Sequence, residues 1–367
     1  MKRINFLTWC FIAAFGLTTF GATAQKTDVE LKSVKSVKTN NTKALKRQSS
    51  CWSNAGTSLL EAEWLRNGKP EVEISVIDFV HNAYLLKAQA YLDTDGKIKV
   101  NEMSPAIDVM KLAKVYGFVP ETAYMYPQQD LMDPNTAEMD AILRGTLRMV
   151  QEKEKGEFTE RWQNTYNTTL MRYIGESQIS FDYNGTKHTP VSFAESSGLN
   201  FDDYIMVTSD MRSDKNAKCD LQMAQNWGDY KFYNVAFNDL SQTINNAIEN
   251  NYSVLWYGNL DKDAMIGDQV AIVSEGDKEK PTAEKRIDAD LRQKAFEKNI
   301  IAKGLDYLLI FGIAKDEEGK TYFQAKKACE AGDKVVNLSE AYVGLNTIYL
   351  TLNKNAVPAA LRSTLGL

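Results

Sequence analysis

The stretch Gln48-Ser49-Ser50-Cys51-Trp52-Ser53-Asn54-Ala55 places a cysteine at the start of a long helical pattern. Ala55, Leu59 and Ala62 recur at helical spacing, and serines are typical residues of a helix N-terminus. In the first turn of a helix, the unpaired N–H groups and the helix dipole stabilise a thiolate. The pattern therefore predicts either a reactive thiol at Cys51 or a small apolar side chain packed at the helix start.

Length and composition are those of a soluble globular protein. The 367 residues are 44% hydrophobic and 25% charged, which is enough for one large domain or two lobes. The formal net charge of -5 provides no basic field, so we expect no nucleic-acid partner.

The N-terminus has the pattern of a secretory signal. A positively charged start precedes a mostly apolar run over residues 6–20, and Ala22-Thr23-Ala24 supplies a cleavage pattern. We therefore expect residues 1–24 to be removed and the protein to be exported to a periplasmic or extracellular location, with no membrane contact afterwards. The polar and basic residues 25–47 are expected to form a flexible leader.

The apolar periodicity changes near residue 178. Helical patterns precede this point and short strand patterns dominate after it, with a hairpin turn signal at Asn184-Gly185. The predicted helices are 51–67, 76–91, 105–116, 135–154, 158–173 and 239–250. The predicted strands are 179–183, 254–257, 270–273, 307–311, 321–325 and 345–352. A helical half followed by a strand-rich half indicates an α+β protein of two lobes.

Several short segments occur in the order and spacing of one peptidase family. They are Ser50-Cys51-Trp52-Ser53, Leu65-Arg66-Asn67-Gly68-Lys69, Tyr116-Gly117-Phe118-Val119-Pro120-Glu121, residues 189–195 and 198–204, Asn226-Trp227, Arg292-Gln293-Lys294-Ala295-Phe296 and Gly312-Ile313-Ala314-Lys315-Asp316. Through them the chain resembles the bleomycin hydrolase and aminopeptidase C branch of the papain-like cysteine peptidases. The resemblance implies a papain-like fold, with a helical lobe at about 48–177 and a β-barrel-like lobe at about 178–367. It also implies peptide substrates, often trimmed from the N-terminus.

The chain departs from this family pattern at the catalytic positions. Asp306 stands where the family has its His, and Lys327 stands where the family has its Asn. Cys329 replaces the family's Trp. Leu45 occupies the position of the oxyanion-hole Gln, and Gln48 lies three residues away from that position.

These replacements remove the group that moves protons in thiol-peptidase chemistry. The family's His deprotonates the thiol and protonates the leaving amine, because its pKa lies near neutrality. Asp306 would be a weak base with a reference pKa of about 3.9, and its charge would raise the pKa of a neighbouring thiol. Lys327 could stabilise a thiolate, but we expect it to form a salt bridge with Asp306. Losing a triad member lowers the rate by roughly 10⁴ or more.

Other candidate catalytic or metal-ligating residues are few. His81 falls inside the second predicted helix and His188 at the entry to the strand-rich half, and neither occupies the family's base position. Cys219 has no Cys or His at zinc-ligand spacing, and Asp93-Thr94-Asp95-Gly96 lacks the later Gly and Glu of a calcium loop. We therefore predict no catalytic His, no metal site and no cofactor.

The sequence predicts an exported, papain-like protein of the aminopeptidase C type whose peptidase machinery has decayed. Cys51 would be a relic nucleophile, and the cleft between the lobes would bind a peptide or protein ligand. Two alternatives stay open: an active cysteine aminopeptidase with an unusual partner for Cys51, and a structural role as a homo-oligomer. Whether Cys51 and Cys329, both predicted near the cleft, form a disulfide also stays open.

Overall fold

The structure of the protein is a computed structural model that describes residues 29–43, 50–126, 136–152, 160–223, 225–267, 269–277, 282–302 and 304–367. The predicted signal peptide and Leu45 lie outside the described residues, so both remain predictions.

Helices dominate the first half of the described chain. The α-helices are α1 (Cys51–Arg66), α2 (Val76–Asp93), α3 (Asp108–Tyr116), α4 (Thr136–Glu152), α5 (Glu160–Ile174), α6 (Pro190–Ser196), α7 (Phe237–Glu249), α8 (Ala289–Ile300), α9 (Glu340–Asn346) and α10 (Ala359–Leu365). Short 3-10 helices span Glu121–Ala123, Phe201–Asp203, Lys262–Ala264 and Lys354–Ala356. The six predicted helices are confirmed as α1 to α5 and α7, with ends that differ by a few residues.

Most strands of the described chain follow these first five helices. The strands are β1 (Lys32–Ser36), β2 (Tyr124–Met125), β3 (Glu176–Ser177), β4 (Phe181–Tyr183), β5 (Thr186–His188), β6 (Tyr204–Thr208), β7 (Ala217–Asp220), β8 (Lys231–Asn234), β9 (Val254–Gly258), β10 (Met265–Ile266), β11 (Val270–Ala271), β12 (Asp306–Lys315), β13 (Thr321–Lys327), β14 (Val335–Ser339) and β15 (Thr347–Asn353).

One large mixed sheet organises the strands. Its order is β10-β11-β14-β13-β12-β9-β15-β6-β8-β7, with β1 paired to β12. The pairs β11–β14 and β6–β8 are parallel, and the other neighbours are antiparallel. Two small antiparallel pairs, β2–β3 and β4–β5, lie outside this sheet. The predicted combination of helices and sheet is therefore confirmed.

The predicted hairpin at Asn184-Gly185 joins β4 to β5. Both residues have positive φ angles, 49° and 77°, as a two-residue type I′ turn requires. None of the described helices is both long and apolar enough to cross a membrane.

Helix α1 is the centre of the fold. Twelve of its sixteen residues are buried, and it packs on α2 and α3 on one side and on β12 and β9 on the other. A helix that is buried on nearly all sides needs close neighbours, and Gly56 permits one of them. A Cβ at Gly56 would collide with Ala106 O and with the Val109 side chain, so only glycine lets α3 approach this closely.

The predicted flexible leader is wrong for residues 32–43. Strand β1 pairs antiparallel with β12, and the N–H of the buried Val37 donates to Phe311 O at 2.7 Å. Thr42 and Gly332 then exchange two backbone hydrogen bonds of 3.0 and 2.9 Å. The polar sequence does not reveal this strand, because it is ordered by the part of β12 beyond Ile310, which β9 leaves unpaired, rather than by an apolar face of its own.

Arg292 on the unpredicted helix α8 joins separate parts of the sheet. Its side chain is fully buried, and its guanidinium donates to Leu345 O at 2.8 Å, Ser209 O at 2.9 Å and Thr347 O at 2.7 Å. Burial lowers the pKa of Arg292 to about 9, although the charge of Asp210 acts in the opposite direction. The planar, five-donor geometry of arginine suits this task.

Asp78 is a buried carboxyl group in the first turn of α2. It accepts hydrogen bonds from Ser177 Oγ and, at 3.1 Å, from Asn82 Nδ2. Burial raises the pKa of Asp78 to about 7, and the hydrogen bonds only partly oppose this shift.

Candidate active site

Cys51 is the first residue of α1, and the residues after it anchor the start of the helix. Trp52 Nε1 donates to Glu102 O at 2.8 Å, and Ser53 Oγ donates to Val76 O at 2.7 Å. Both anchors are side-chain to backbone hydrogen bonds in the interior, which are costly to lose. The position of the sulfur is therefore set by the fold around it.

Asn54 connects the start of α1 to the end of β13. Its buried amide Nδ2 donates to Ala328 O at 2.6 Å and to Lys43 O at 3.1 Å. This connection brings Cys329, the residue after Ala328, to the side of Cys51.

The sulfur atoms of Cys51 and Cys329 are joined in a disulfide. The two Cα atoms are 5.2 Å apart, inside the usual range of about 4.4–6.8 Å for a bridged pair. The question left open by the sequence is answered, and Cys51 carries no free thiol in this state. Because the thiolate is the nucleophilic form, the bonded sulfur cannot attack a carbonyl. Cys219 is a half-buried free cysteine, and burial raises the pKa of its thiol to about 11.

Asp306 and Lys327 lie together at one end of the sheet. Asp306 begins β12 and Lys327 ends β13, and these two strands pair with each other. Both residues line a cavity of about 580 Å3, together with Lys262, Glu330 and Lys334. In the described part of the chain neither bridged cysteine lines this cavity, although Glu330 directly follows the second of them.

The predicted salt bridge between Lys327 and Asp306 is wrong. Lys327 Nζ instead donates to Glu330 Oε1 at 2.7 Å. The physical reason is a turn after β13, in which the Glu330 N–H approaches Lys327 O at 3.5 Å and brings a nearer carboxylate to the lysine.

Asp306 is a half-buried acid with a raised pKa. Burial is the main cause, and the charge of Glu330 adds to it. The charges of Lys327 and Lys262 and the N–H of Leu260 oppose the rise. Among the described residues, no hydrogen bond connects this carboxyl group to Cys51.

The two histidines of the chain are engaged elsewhere. His81 is buried, with Nδ1 donating to Gly175 O at 2.8 Å and Nε2 at 2.9 Å from Asn167 Oδ1, and burial lowers its pKa. His188 lies half-buried at the end of β5, with Nδ1 at 3.4 Å from Ser192 Oγ. Since the sequence contains only these two histidines, no imidazole contacts Cys51.

The residues weighed as metal ligands do not assemble into a site. Across the described ranges, no group of three or more His, Cys, Asp or Glu side chains is placed to hold a metal ion. Asp95 and Gly96 have positive φ angles of 52° and 79° in the turn that ends α2.

Comparisons with known proteins identify the fold. No protein-family model matches the sequence, and no curated protein matches it. The structure is similar to PepW from Lactobacillus rhamnosis HN001 (DR20), with a TM-score of 0.66 and 14% identity over 91% of this chain and 84% of PepW. The bromelain protease from Ananas comosus, in complex with the E64 inhibitor, aligns over 85% of this chain and 94% of its own, at 9% identity and a TM-score of 0.34. The Amb a 11 cysteine protease of ragweed pollen aligns in its proform over 88% and 66% of the two chains, at 12% identity and a TM-score of 0.34.

The last two TM-scores are too low to support an inference, and the identity to PepW supports a shared fold only. The chain therefore shares the fold of PepW.

Proposed function

We propose that this protein is a papain-like pseudopeptidase that binds a peptide or protein ligand without cleaving it. One observation carries the proposal: the sulfur at the nucleophile position is bonded to Cys329. A disulfide sulfur is not a nucleophile toward an amide carbonyl, so the first step of the peptidase reaction cannot start from this state.

The environment of the sulfur supports the proposal even if the disulfide is reduced. Thiol-peptidase chemistry needs a base close to the sulfur. The imidazole of His81 instead contacts Gly175 and Asn167, and that of His188 contacts Ser192. By the family resemblance, Asp306 and Lys327 stand at the positions of the His and the Asn. Asp306 lines the cavity, and Lys327 forms an ion pair with Glu330. A Cys51 thiol freed by reduction would have only water to accept its proton. We expect its catalytic rate to be lower than that of a complete triad by roughly 10⁴-fold or more.

The cavity beside Asp306 and Lys327 offers space for part of a ligand. Its volume of about 580 Å3 lies within the range of known ligand sites, roughly 300–1,000 Å3. The residues that line it all belong to the strand-rich half of the chain. Charged side chains of both signs line it, which suits a peptide with polar side chains.

Export is part of the same proposal. Disulfides persist mainly in oxidising compartments, and the secretory pattern of residues 1–24 leads to such a compartment. A disulfide at the catalytic position would then be maintained throughout the life of the protein.

The test is a turnover assay on the mature chain from residue 25. Aminoacyl fluorogenic substrates with a free amino group are incubated with the wild type, with Cys51→Ala and with the matched control Cys219→Ser, each with and without a thiol reductant. We expect the wild type and Cys219→Ser to show no more turnover than Cys51→Ala in either condition. Turnover by the wild type that disappears in Cys51→Ala would instead establish a working cysteine aminopeptidase.

A further inference from the structure

A groove separate from the Asp306 cavity lies between α3 and the strands β6, β7 and β8. Its volume is about 560 Å3, and we call it the α3 groove. The side chains of Ile107, Met110 and Met206 form its buried apolar floor. Val115 lies on the same groove and is 52% exposed, so apolar surface is left in contact with solvent there. An apolar concave surface of this size is typical of a binding site.

Four lysines border the α3 groove. Two of them are neutralised inside the chain: Lys114 pairs with Asp202 at 2.6 Å, and Lys231 pairs with Asp220. These two ion pairs are close to neutral and leave little attraction for a charged ligand.

The other two lysines, Lys111 and Lys218, are positive groups held over aromatic rings. Lys111 Nζ lies 5.1 Å from the Trp227 ring centroid and 5.3 Å from that of Tyr230, and Lys218 Nζ lies 5.0 Å from that of Tyr233. Within the described residues, no carboxylate is within 4.0 Å of either ammonium group. A cation over the face of an aromatic ring keeps its N–H donors on the outer side available to an anion.

The positively charged rim of the α3 groove belongs to a protein with a negative net charge. The formal net charge of the chain is -5, yet the α3 groove has two cations in excess of its paired carboxylates. Such a local excess of positive charge attracts a negatively charged partner to this surface.

We propose that the α3 groove binds an acidic segment of a partner polypeptide. Apolar side chains of the segment rest on the floor formed by Ile107, Met110 and Met206, and two of its carboxylates accept hydrogen bonds from Lys111 and Lys218. The apolar floor favours a polypeptide over a nucleic acid, because phosphate-directed binding needs many cations and no apolar floor. The inference depends on the fold and its surface charges, and not on the loss of peptidase activity.

The probe for the experiment is a fluorescein-labelled peptide of three Glu-Leu-Ser repeats, and fluorescence anisotropy measures its binding to the full mature chain. Two further peptides serve as controls, one with Lys in place of Glu and one with Ser in place of Leu. We expect the first peptide to bind at least about tenfold more tightly than either control, and to bind more weakly at high salt.

The protein variants locate the site. Lys111→Glu with Lys218→Glu is expected to weaken binding about tenfold or more, while Lys111→Arg with Lys218→Arg retains it, because charge reversal at an ion pair replaces attraction by repulsion. The matched control, Lys97→Glu with Lys187→Glu, changes the net charge equally at two exposed positions outside the groove and is expected to bind as the wild type does. If the charge-reversed variant does not fold, as judged by circular dichroism, Lys111→Gln with Lys218→Gln replaces it.

Three outcomes would overturn the proposal. The first is no measurable binding of the acidic peptide to the wild type, and the second is equal weakening in the groove and control variants. The third is binding of a single-stranded oligothymidylate, equal in charge to the peptide, with at least the peptide's affinity and with the same sensitivity to Lys111 and Lys218, which would identify a general polyanion site.

Discussion

Removal of the Cys51–Cys329 disulfide by Cys329→Ser should strongly destabilise the fold. The bond connects residues separated by 278 positions, and so it restricts about three quarters of the unfolded chain of 367 residues. The contacts that place the two residues side by side, above all the hydrogen bond from Asn54 to Ala328 O, remain in the variant. The native structure is therefore expected to persist, and the loss should come mainly from the unfolded state.

The magnitude follows from the loop that the bond closes. The chain-entropy estimate for a loop of this length is about 5.6 kcal/mol at 25 °C. Measured values usually fall below this estimate, since unfolded chains keep residual structure, so we expect a loss of about 3–5 kcal/mol in the free energy of unfolding.

The assay is equilibrium unfolding in guanidinium chloride, followed by tryptophan fluorescence, for the wild type, Cys329→Ser and the matched control Cys219→Ser. Without reductant, Cys329→Ser should unfold at a clearly lower denaturant concentration, and Cys219→Ser should unfold close to the wild type. With reductant, the wild type should move to the midpoint of Cys329→Ser. The reasoning is refuted if Cys329→Ser matches the wild type within about 0.5 kcal/mol, or if reductant leaves the wild-type midpoint unchanged.

Three further predictions concern buried polar groups, and each is checked by denaturant unfolding. Asn54→Leu should lower the free energy of unfolding by about 1–3 kcal/mol, because two buried carbonyl groups lose their donor, and a smaller loss than 0.5 kcal/mol would contradict this. Arg292→Met should lower the free energy of unfolding by about 3–5 kcal/mol, because three carbonyl groups lose their donor. Arg292→Lys should recover only part of this loss, and full recovery by lysine would argue against the role of the planar guanidinium. Asp78 has a folded-state pKa of about 7, above its unfolded value, so its contribution to stability is present below about pH 4 and is lost as the pH rises through 7. Relative to Asp78→Asn, the wild type should therefore lose roughly 2–4 kcal/mol between pH 4 and pH 8, and a constant difference would exclude Asp78 as the titrating group.

Local pattern predicted helices α1 to α5 and α7 and the turn at Asn184-Gly185, for a physical reason. Helix α1 was predicted from the helical spacing of its apolar residues, and its end before Asn67-Gly68 was predicted because Gly68 can adopt a positive φ angle, here 73°. The Asn184-Gly185 turn is local for the same reason, since both residues tolerate positive φ angles. Features of this kind depend on neighbours within a few positions.

Strand β1 and helix α8 were missed because their stability comes from distant partners. The residues of β1 are mostly polar and acquire order only from the edge of β12. Helix α8 is held by the buried guanidinium of Arg292, whose three acceptors belong to other segments. Neither feature has an apolar pattern that would identify it in isolation.

The candidate site also has features that the sequence predicts and features that depend on the tertiary structure. The sequence places a cysteine at the start of the central helix, and its family resemblance predicts that Asp306 and Lys327 stand at the positions of the His and the Asn. The bond between Cys51 and Cys329, and the pairing of Lys327 with Glu330 rather than with Asp306, depend on the folded chain. The identity of a residue is a local property, whereas the partner of a sulfur or an ammonium group is whichever atom the folded chain brings within reach.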